Sequence, residues 1–374
     1  MNDPIRQLRH TLHTYPELSG EEHNTAKRIV RFFSPLSPDA ILEELGGCGV
    51  ALVFSGQAPG PTVMLRCELD AVPVQERSQL DYCSKINGVA HQCGHDGHMA
   101  IVAAVGMELA AKRTQHGRVV LLFQPAEENG MGAKAVLQDP RFEAIRPDVA
   151  FALHNLPGYP LGQIIVRPGT FNCASRGMSV KLSGSTAHAA QPETGQSPAA
   201  AMCTCIQKIS ALPPATVPAD ETAFATVVGA QLGKKAFGTA PGEAQIWTTL
   251  RSETDATMKK LTQYIEHIVH DAAAKDGLRV SIEYQDVFPA TVNGAQAVKR
   301  IQEVVGDAPL TIPNKPLRWS EDFGRITATC EGALFAVGAG TDRPNLHNPD
   351  YDFPNALIQP AKDIFMRLIS SYLD

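Results

Sequence analysis

The sequence contains no long apolar run, and this absence restricts the class of protein. No stretch approaches the roughly 20 consecutive apolar residues that a transmembrane helix needs. The opening MNDPIRQLRHTLHTYPELSGEE is polar and charged, without the apolar centre or cleavage site of a signal peptide. We therefore expect no membrane partner and no export.

Runs of one charge sign and clusters of cysteine are also missing. The net charge is −6, and no lysine or arginine run occurs, which argues against a nucleic-acid partner. The eight cysteines are too dispersed for a disulfide framework. We therefore expect a cytoplasmic location. Most of the thiols are expected to be small buried apolar groups, namely Cys48, Cys67, Cys83, Cys203, Cys205 and Cys330.

The pattern of the first half predicts an α/β catalytic domain. Strands are expected at 49–56, 61–73, 118–128 and 149–158, and a buried helix at 98–112. An earlier helix that ends near Phe33 is expected to begin with a capping box formed by Ser19 and Glu22. Alternating strands and helices favour a sheet covered on both faces, with ligands beyond the carboxyl ends of its strands.

The pattern changes near residue 175. The order of elements becomes β-α-β-β-α-β, which is that of a ferredoxin-like unit. Potential ligands occur both before and after this segment. With 374 residues, two domains are expected at about 100–200 residues each. We predict one domain from 1–174 and 289–374, with 175–288 inserted into it.

The stretch HQCGHDGH, at 91–98, is a candidate metal site. Cys93 and His95 are two residues apart, so an extended loop can direct both at one ion, and thiolate with imidazole suits zinc. Asp96 is a candidate to hold His95. His91 and His98 are candidates for further ligands, and His98, at a helix start, is alternatively a capping or packed side chain. The alternative is a polar loop of hydrogen-bonded histidines.

Two carboxylates follow a predicted strand in QPAEEN, at 124–129. Neighbouring side chains on extended backbone point in different directions. One of Glu127 and Glu128 can thus bind a metal while the other accepts a proton from water. The alternative is an acidic helix N-terminus.

Two separate histidines extend the candidate ligand set. His154 ends an apolar strand, and His347 lies in a polar loop. With Cys93, His95 and Glu128 they supply five ligands, more than the about four of a structural zinc. Five ligands, one of them shared, suffice for two ions with an open position each.

The motifs together resemble the M20 metallopeptidase family, specifically its amidohydrolase branch. LHTYPELSGEE, LRCELDAVP, HQCGHDGH, FQPAEEN, LHNLPG, TAHAAQPETGQSP, SEDFG and LHNPDYDF follow the order of that family along nearly the whole chain. The branch includes enzymes similar to hippurate hydrolase, indoleacetyl-amino-acid hydrolase and N-acetyl-diaminopimelate deacetylase. The resemblance implies a zinc-exopeptidase-like α/β domain with a central mixed sheet, and an inserted ferredoxin-like α+β domain for lid closure and pairing.

The resemblance also implies roles for individual residues. Cys93 would be shared by two divalent ions, with His95, Glu128, His154 and His347 completing the ligand set. Zinc or manganese is expected, and cobalt or nickel would also fit. Glu127 would activate the water that attacks an N-acyl amino acid, and Asp70 would be an orienting carboxylate.

Substrate contacts and pairing are implied in the inserted domain. His188 would bind substrate and stabilise the oxyanion, and a homodimer would form through this domain. Arg251 matches an arginine that could hold a substrate carboxylate, although a surface arginine is equally consistent.

Three departures from the family pattern bear on the substrate pocket. Cys67 and Glu68 replace an Ala-Asp pair, so an altered pocket wall is expected. Ser185-Thr186-Ala187 stands where Gly-Gly is usual, and FGTAPG replaces a segment with a substrate-binding asparagine.

Three other functions remain open. They are a metallo-exopeptidase acting on small peptides, a catalytically silent binding protein of the same fold, and an enzyme with Cys93 as nucleophile. The last leaves the other ligand-type side chains unexplained.

Overall fold

A computed structural model describes residues 3–212 and 221–374 of the chain. Its α-helices are α1 Pro4–Thr14, α2 His23–Phe33, α3 His95–Ala111, α4 Gly132–Gln138, α5 Ala199–Ser210, α6 Asp255–Lys275, α7 Ala295–Val304, α8 Gly324–Thr327 and α9 Ile358–Leu373. Its strands are β1 Ala40–Leu45, β2 Gly49–Ser55, β3 Ala58–Glu68, β4 His116–Gln124, β5 Val149–Leu156, β6 Ile164–Ile165, β7 Gly169–Asn172, β8 Ala174–Ser183, β9 Ala187–His188, β10 Ala223–Leu232, β11 Thr239–Ala240, β12 Glu243–Ser252, β13 Arg279–Phe288, β14 Thr291–Asn293, β15 Leu310–Thr311 and β16 Glu331–Gly338. No helix within the described residues combines the length and apolarity needed to cross a membrane.

The chain divides into two compact units. The larger unit comprises Met1–Phe171, Thr291–Pro316 and Glu321–Asp374, and the smaller unit comprises Asn172–Ala290 and Leu317–Ser320. The smaller unit is therefore inserted in the sequence of the larger one.

The larger unit is built on an eight-stranded mixed sheet, which confirms the predicted fold class. The strand order is β1-β2-β4-β3-β5-β16-β6-β15. The four neighbours β4, β3, β5 and β16 are parallel. Their residues are buried almost without interruption, as expected of strands with both faces covered. The four carboxyl ends consequently meet at one edge of the sheet.

Helix α3 packs against the segment that follows β16. A methyl group at Gly97 would overlap the ring of Phe353, which is fully buried. The absence of a side chain at Gly97 thus allows the start of α3 to approach the segment around Phe353.

The smaller unit is a four-stranded antiparallel sheet with two helices. The strand order is β10-β12-β8-β13, and α5 and α6 supply half of its apolar core. Burial alternates along β12, so one face of the sheet meets the helices. The predicted β-α-β-β-α-β order and its ferredoxin-like class are confirmed.

The predicted capping box at α2 is wrong. Glu22 precedes the helix but makes no capping hydrogen bond through its side chain. Glu17 accepts hydrogen bonds from the backbone N–H groups of Asn24 and Thr25 instead, at 3.2 and 2.7 Å. Ser19 donates to Asp70 and Glu22 accepts from the N–H of Ala126, so both side chains are engaged by other parts of the chain.

The prediction for the cysteines is correct only in part. Cys48, Cys67 and Cys205 are buried, whereas Cys83 and Cys330 are half-buried and Cys203 is exposed. Cys203 lies on the outer side of α5, two positions before Cys205, and residues two apart on a helix do not share a face.

We predict that Gly97→Ala lowers the free energy of unfolding by about 1–3 kcal/mol, because the added methyl overfills the contact with Phe353. Urea unfolding measures the change. The matched control is Gly238→Ala, where a Cβ would have no neighbour within 4 Å. Equal stability of the two variants would contradict the tight packing of α3.

Candidate metal centre

The edge at which the four parallel strands end carries the candidate site. Asp70 follows β3, Glu127 and Glu128 follow β4, and His154 lies within β5. The loop after β16 supplies His347, and α3 begins at His95. The order of strands in the sheet therefore brings together side chains that are far apart in sequence.

The five predicted ligands form two overlapping groups. The ligand atoms of Cys93, His95 and His154 lie within 4.8 Å of one another, and so do those of Cys93, Glu128 and His347. Cys93 belongs to both groups, and its Sγ lies 3.5 Å from His154 Nε2. This arrangement offers two neighbouring positions for a cation with the thiol between them.

Backbone carbonyls orient both buried histidines of the site. His95 Nδ1 donates to the carbonyl of Asp70 at 2.8 Å, and His154 Nδ1 donates to the carbonyl of Asn155 at 2.8 Å. Each imidazole, when neutral, then carries its lone pair on Nε2. A second hydrogen bond of this kind is typical of histidines that bind metals.

The donor atoms fit a divalent cation. His95 Nε2 and Glu128 Oε1 are buried and make no hydrogen bond within the described residues. Burial disfavours charged His95, but the Asp70 carboxylate, whose Oδ1 lies 3.6 Å from His95 Nδ1, and the charges of Glu68 and Glu128 outweigh it and raise the pKa of His95 to about 10. The site thus attracts positive charge, and buried polar atoms without partners are costly unless an ion satisfies them.

Glu127 lies beside the ligands and is 5% exposed. Its Oε2 is 3.9 Å from His95 Nε2, and its carboxylate is close to those of Glu321 and Asp322. Burial, together with the charges of Glu321 and Glu128, raises the pKa of Glu127 well above its usual range. A carboxylate with a raised pKa is suited to accept and return a proton.

A buried arginine balances the acidic groups behind Glu127. Arg66 binds Glu68, and its Nη2 lies 2.8 Å from Glu321 and 2.7 Å from Asp322. Glu68 also accepts a hydrogen bond from His98 Nδ1 at 2.7 Å. Glu68 is fully buried in this ion-pair network, and the altered pocket wall expected at this position stays a prediction.

Asp96 does not hold His95. Its Oδ2 accepts from Arg9 Nε and from His13 Nδ1, both at 2.9 Å. His13 is also 3.2 Å from Glu76. Asp96 therefore anchors the first turn of α3 to α1, and Asp70 is the residue that orients His95.

The remaining histidines of HQCGHDGH differ in their surroundings. Both nitrogens of His98 are engaged, Nδ1 by Glu68 and Nε2 by Asn155 Oδ1 at 2.6 Å. We therefore assign His98 to the support of the site. His91 is buried, and neither of its nitrogens has a hydrogen-bond partner in the part of the chain that the structure describes.

His347 is the most accessible of the five predicted ligands. Its side chain is 51% exposed, its φ is 62°, and its Nε2 lies 3.5 Å from Glu128. Its backbone N–H donates to the carbonyl of Gln92 at 2.8 Å. This bond ties the histidine loop to the segment that carries Cys93.

Several supporting residues were not identified from the sequence. Asp70 Oδ2 accepts from Ser19 Oγ at 2.7 Å and from the N–H of Glu128 at 2.9 Å. Asn155 Nδ2 donates to the carbonyl of Cys93 at 3.1 Å. The polar residue next to His154 in LHNLPG was the available signal for Asn155, and the adjacent carboxylates in SEDFG were the signal for Glu321 and Asp322.

Two predicted substrate residues belong to the smaller unit. His188 is exposed on β9, which pairs with β11 so that His188 faces Thr239 of the FGTAPG segment. Arg251 is half-buried on β12, and its Nη1 donates to the carbonyl of Arg318 at 2.7 Å and to Ser320 Oγ at 3.0 Å. Their roles toward substrate stay predictions.

The chain is similar in sequence and in structure to known proteins along nearly its whole length. The profile of Peptidase family M20/M25/M40 matches residues 64–371. Hippurate hydrolase of Campylobacter jejuni is 30% identical, covering 99% of this chain and 96% of that protein. Thermostable carboxypeptidase 1 of Saccharolobus solfataricus is 28% identical, covering 94% of this chain and 90% of that protein. The crystal structure of the Bacillus subtilis YXEP protein, a dinuclear metal binding peptidase from the M20 family, has the same fold, with a TM-score of 0.82, 24% identity and coverage of 99% and 98%.

We predict that Asp70→Asn lowers zinc affinity by about 10–100-fold, the usual effect of losing a partner that orients a ligand. The variant keeps the backbone carbonyl that orients His95 but removes the charge of the Asp70 carboxylate, whose Oδ1 lies 3.6 Å from His95 Nδ1 and whose Oδ2 accepts the N–H of Glu128. Competition with a chromophoric chelator measures the affinity. Asp81→Asn, at an exposed position, is the matched control. Unchanged affinity in Asp70→Asn would show that this carboxylate does not support the site.

Proposed function

Because the chain belongs to peptidase family M20/M25/M40 and is a hydrolase of amide bonds, we propose that it removes an N-acyl group from an amino acid or a related amine. The observation that carries this proposal is the convergence of five ligand-type side chains beside one further buried carboxylate, Glu127. We further propose that the protein acts as a cytoplasmic homodimer that pairs through the smaller unit.

Two divalent ions are the proposed cofactors. Zinc or manganese would suit the donor set, and cobalt or nickel could replace them. When bound, such ions lower the pKa of water and polarise the carbonyl group of the substrate. The proposed ligands are Cys93, His95, Glu128, His154 and His347, with Cys93 in common.

Glu127 is the proposed general base. Its carboxylate would take a proton from the attacking water and give it to the nitrogen of the leaving amine as the amide bond breaks. The raised pKa makes the carboxylate a stronger base for the first transfer, and the leaving amine, which is more basic than a carboxylate, accepts the proton in the second. The neighbouring carboxylates of Glu321 and Asp322 raise the pKa of Glu127. Neither residue belongs to the two groups of ligand atoms that contain Cys93.

We predict that Glu127→Gln retains the metal ions and lowers kcat by about 10²–10⁴-fold, since the amide cannot accept the proton. The wild type and the variant are reconstituted with zinc or manganese, and metal content is measured beside turnover. Glu193→Gln, an exposed glutamate of the smaller unit, is the control. Turnover close to that of the wild type would remove Glu127 from its role.

A screen over acetyl, benzoyl, succinyl and indoleacetyl amino acids, beside dipeptides, tests the function itself. Release of free amino acid that depends on added metal supports the proposal. A catalytically silent protein would release none.

An enzyme with Cys93 as nucleophile would retain activity in the presence of a chelator. The surroundings of Cys93 disfavour this alternative, since burial and the charges of Glu128 and Glu127 raise the pKa of its thiol.

Peptide hydrolysis is the second candidate function. It is favoured by the similarity to a carboxypeptidase over 94% of this chain. The two candidates share the reaction and differ in the acyl group, which is an aminoacyl group in a peptide. Faster turnover of dipeptides than of every N-acyl amino acid would select the peptidase.

Arg251 is the proposed contact for the substrate carboxylate. Burial lowers the pKa of this guanidinium, and no carboxylate pairs with it among the described residues. A partly desolvated cation without an anion is suited to bind one. His188 is proposed to assist substrate binding and to stabilise the oxyanion.

We predict that Arg251→Lys raises KM for N-acyl amino acids by about tenfold with little change in kcat, because lysine cannot donate two parallel hydrogen bonds to a carboxylate. KM is compared between a free acid and its methyl amide. The amide should show no such increase. Arg279→Lys, at an exposed site on β13, is the control. Equal effects on acid and amide would exclude this contact.

A further inference from the structure

The backbone directly before Glu127 has an unusual conformation. Ala126 has a φ of 50°, in the left-handed region that residues with a side chain seldom adopt. Such a conformation persists only where surrounding contacts enforce it, and it is frequent at functional sites. The direction of the Glu127 side chain depends on this turn.

Glu22 contacts the backbone of this turn. Its side chain is fully buried, and its Oε1 accepts the backbone N–H of Ala126 at 2.7 Å. Glu22 lies 104 positions earlier in the chain, at the start of α2. A hydrogen bond to a buried carboxylate is among the stronger ones in proteins.

Other hydrogen bonds close the same loop. The carbonyl of Ala126 accepts from the N–H groups of Met131 and Gly132, at 3.2 and 2.8 Å. The N–H of Glu128 donates to Asp70 Oδ2 at 2.9 Å. Glu127 is therefore flanked by two residues whose N–H groups are each held by a buried carboxylate, one from Asp70 and one from Glu22.

From this geometry we propose that Glu22 is a positioning residue, which holds Ala126 in its left-handed turn and thereby directs the Glu127 carboxylate at the reacting water. The inference rests on the proposed role of Glu127 as general base. Within the described residues Glu22 makes no hydrogen bond to a proposed ligand or to Glu127, so its effect would pass through the backbone of Ala126.

Two conservative variants separate the effect of the side-chain length of Glu22 from the effect of its charge. Glu22→Gln keeps an oxygen acceptor at the same distance and loses the charge. Glu22→Asp keeps the charge and withdraws the oxygen by one methylene. If Glu22 positions the loop, Glu22→Asp lowers kcat by about 10–100-fold, since displacement of about 1 Å has an effect of this size. KM and metal content of Glu22→Asp stay unchanged. The kcat of Glu22→Gln stays close to that of the wild type.

Hydrogen exchange at Ala126 gives a readout that does not depend on turnover. Exchange in a peptide that contains Ala126 should become faster in Glu22→Asp and stay slow in Glu22→Gln. Glu17→Ala is the matched control, because it removes the carboxylate that caps α2 and leaves the bond to Ala126 in place. It should lower the melting temperature without changing kcat or the exchange of Ala126.

The possible outcomes separate this inference from the proposed function. Hydrolysis by the wild type with equal kcat in Glu22→Asp overturns the positioning role. A lower kcat in Glu22→Gln than in Glu22→Asp also overturns it, because kcat would then depend on the charge of residue 22 and not on the length of its side chain. No hydrolysis by the fully metallated wild type refutes the proposed function, and with it the positioning role, while the exchange data still test the contact.

Discussion

A surplus of buried polar groups without protein partners is the constraint on which the site depends. His95 Nε2, Glu128 Oε1 and Asp70 Oδ1 are all buried, and none makes a hydrogen bond within the described residues. Leaving such groups unsatisfied costs free energy, and the cost is larger for charged groups. The fold retains them together at one edge of the sheet, where a bound cation would complete their interactions.

The rest of the larger unit balances the charge of this edge. Arg66 offsets part of the charge of the carboxylates behind Glu127, and Arg9 and His13 pair with Asp96 at the start of α3. Fully buried arginines are uncommon unless they are paired. The ion pairs of Arg9 and His13 with Asp96, and that of Arg66 with Asp322, also connect distant segments of the chain, so the same contacts that offset the acidic charge hold these segments together.

The sequence predicted the elements that carry the site better than the contacts between them. The strands before Asp70 and Glu127, the strand that contains His154 and the helix after Cys93 all occur within a few residues of their predicted bounds. Hydrophobic runs and their polar ends are local features, so they can be read from the chain. Ser19 and Glu22 were misread as a helix cap, and Asp96 as a partner of His95, because their actual partners lie 51, 104 and 87 or 83 positions away.

The sequence by itself determined the chemical inventory of this protein: the ligand-type residues, the adjacent carboxylates and the alternation of strands and helices that places such residues at strand ends. Only the tertiary structure decided how they combine. It placed Cys93 between two groups of donors, buried Glu68 against Arg66 and joined Glu22 to Ala126. The physical reason is that side-chain chemistry is local, whereas the choice of hydrogen-bond partner depends on which segments packing brings within about 3 Å.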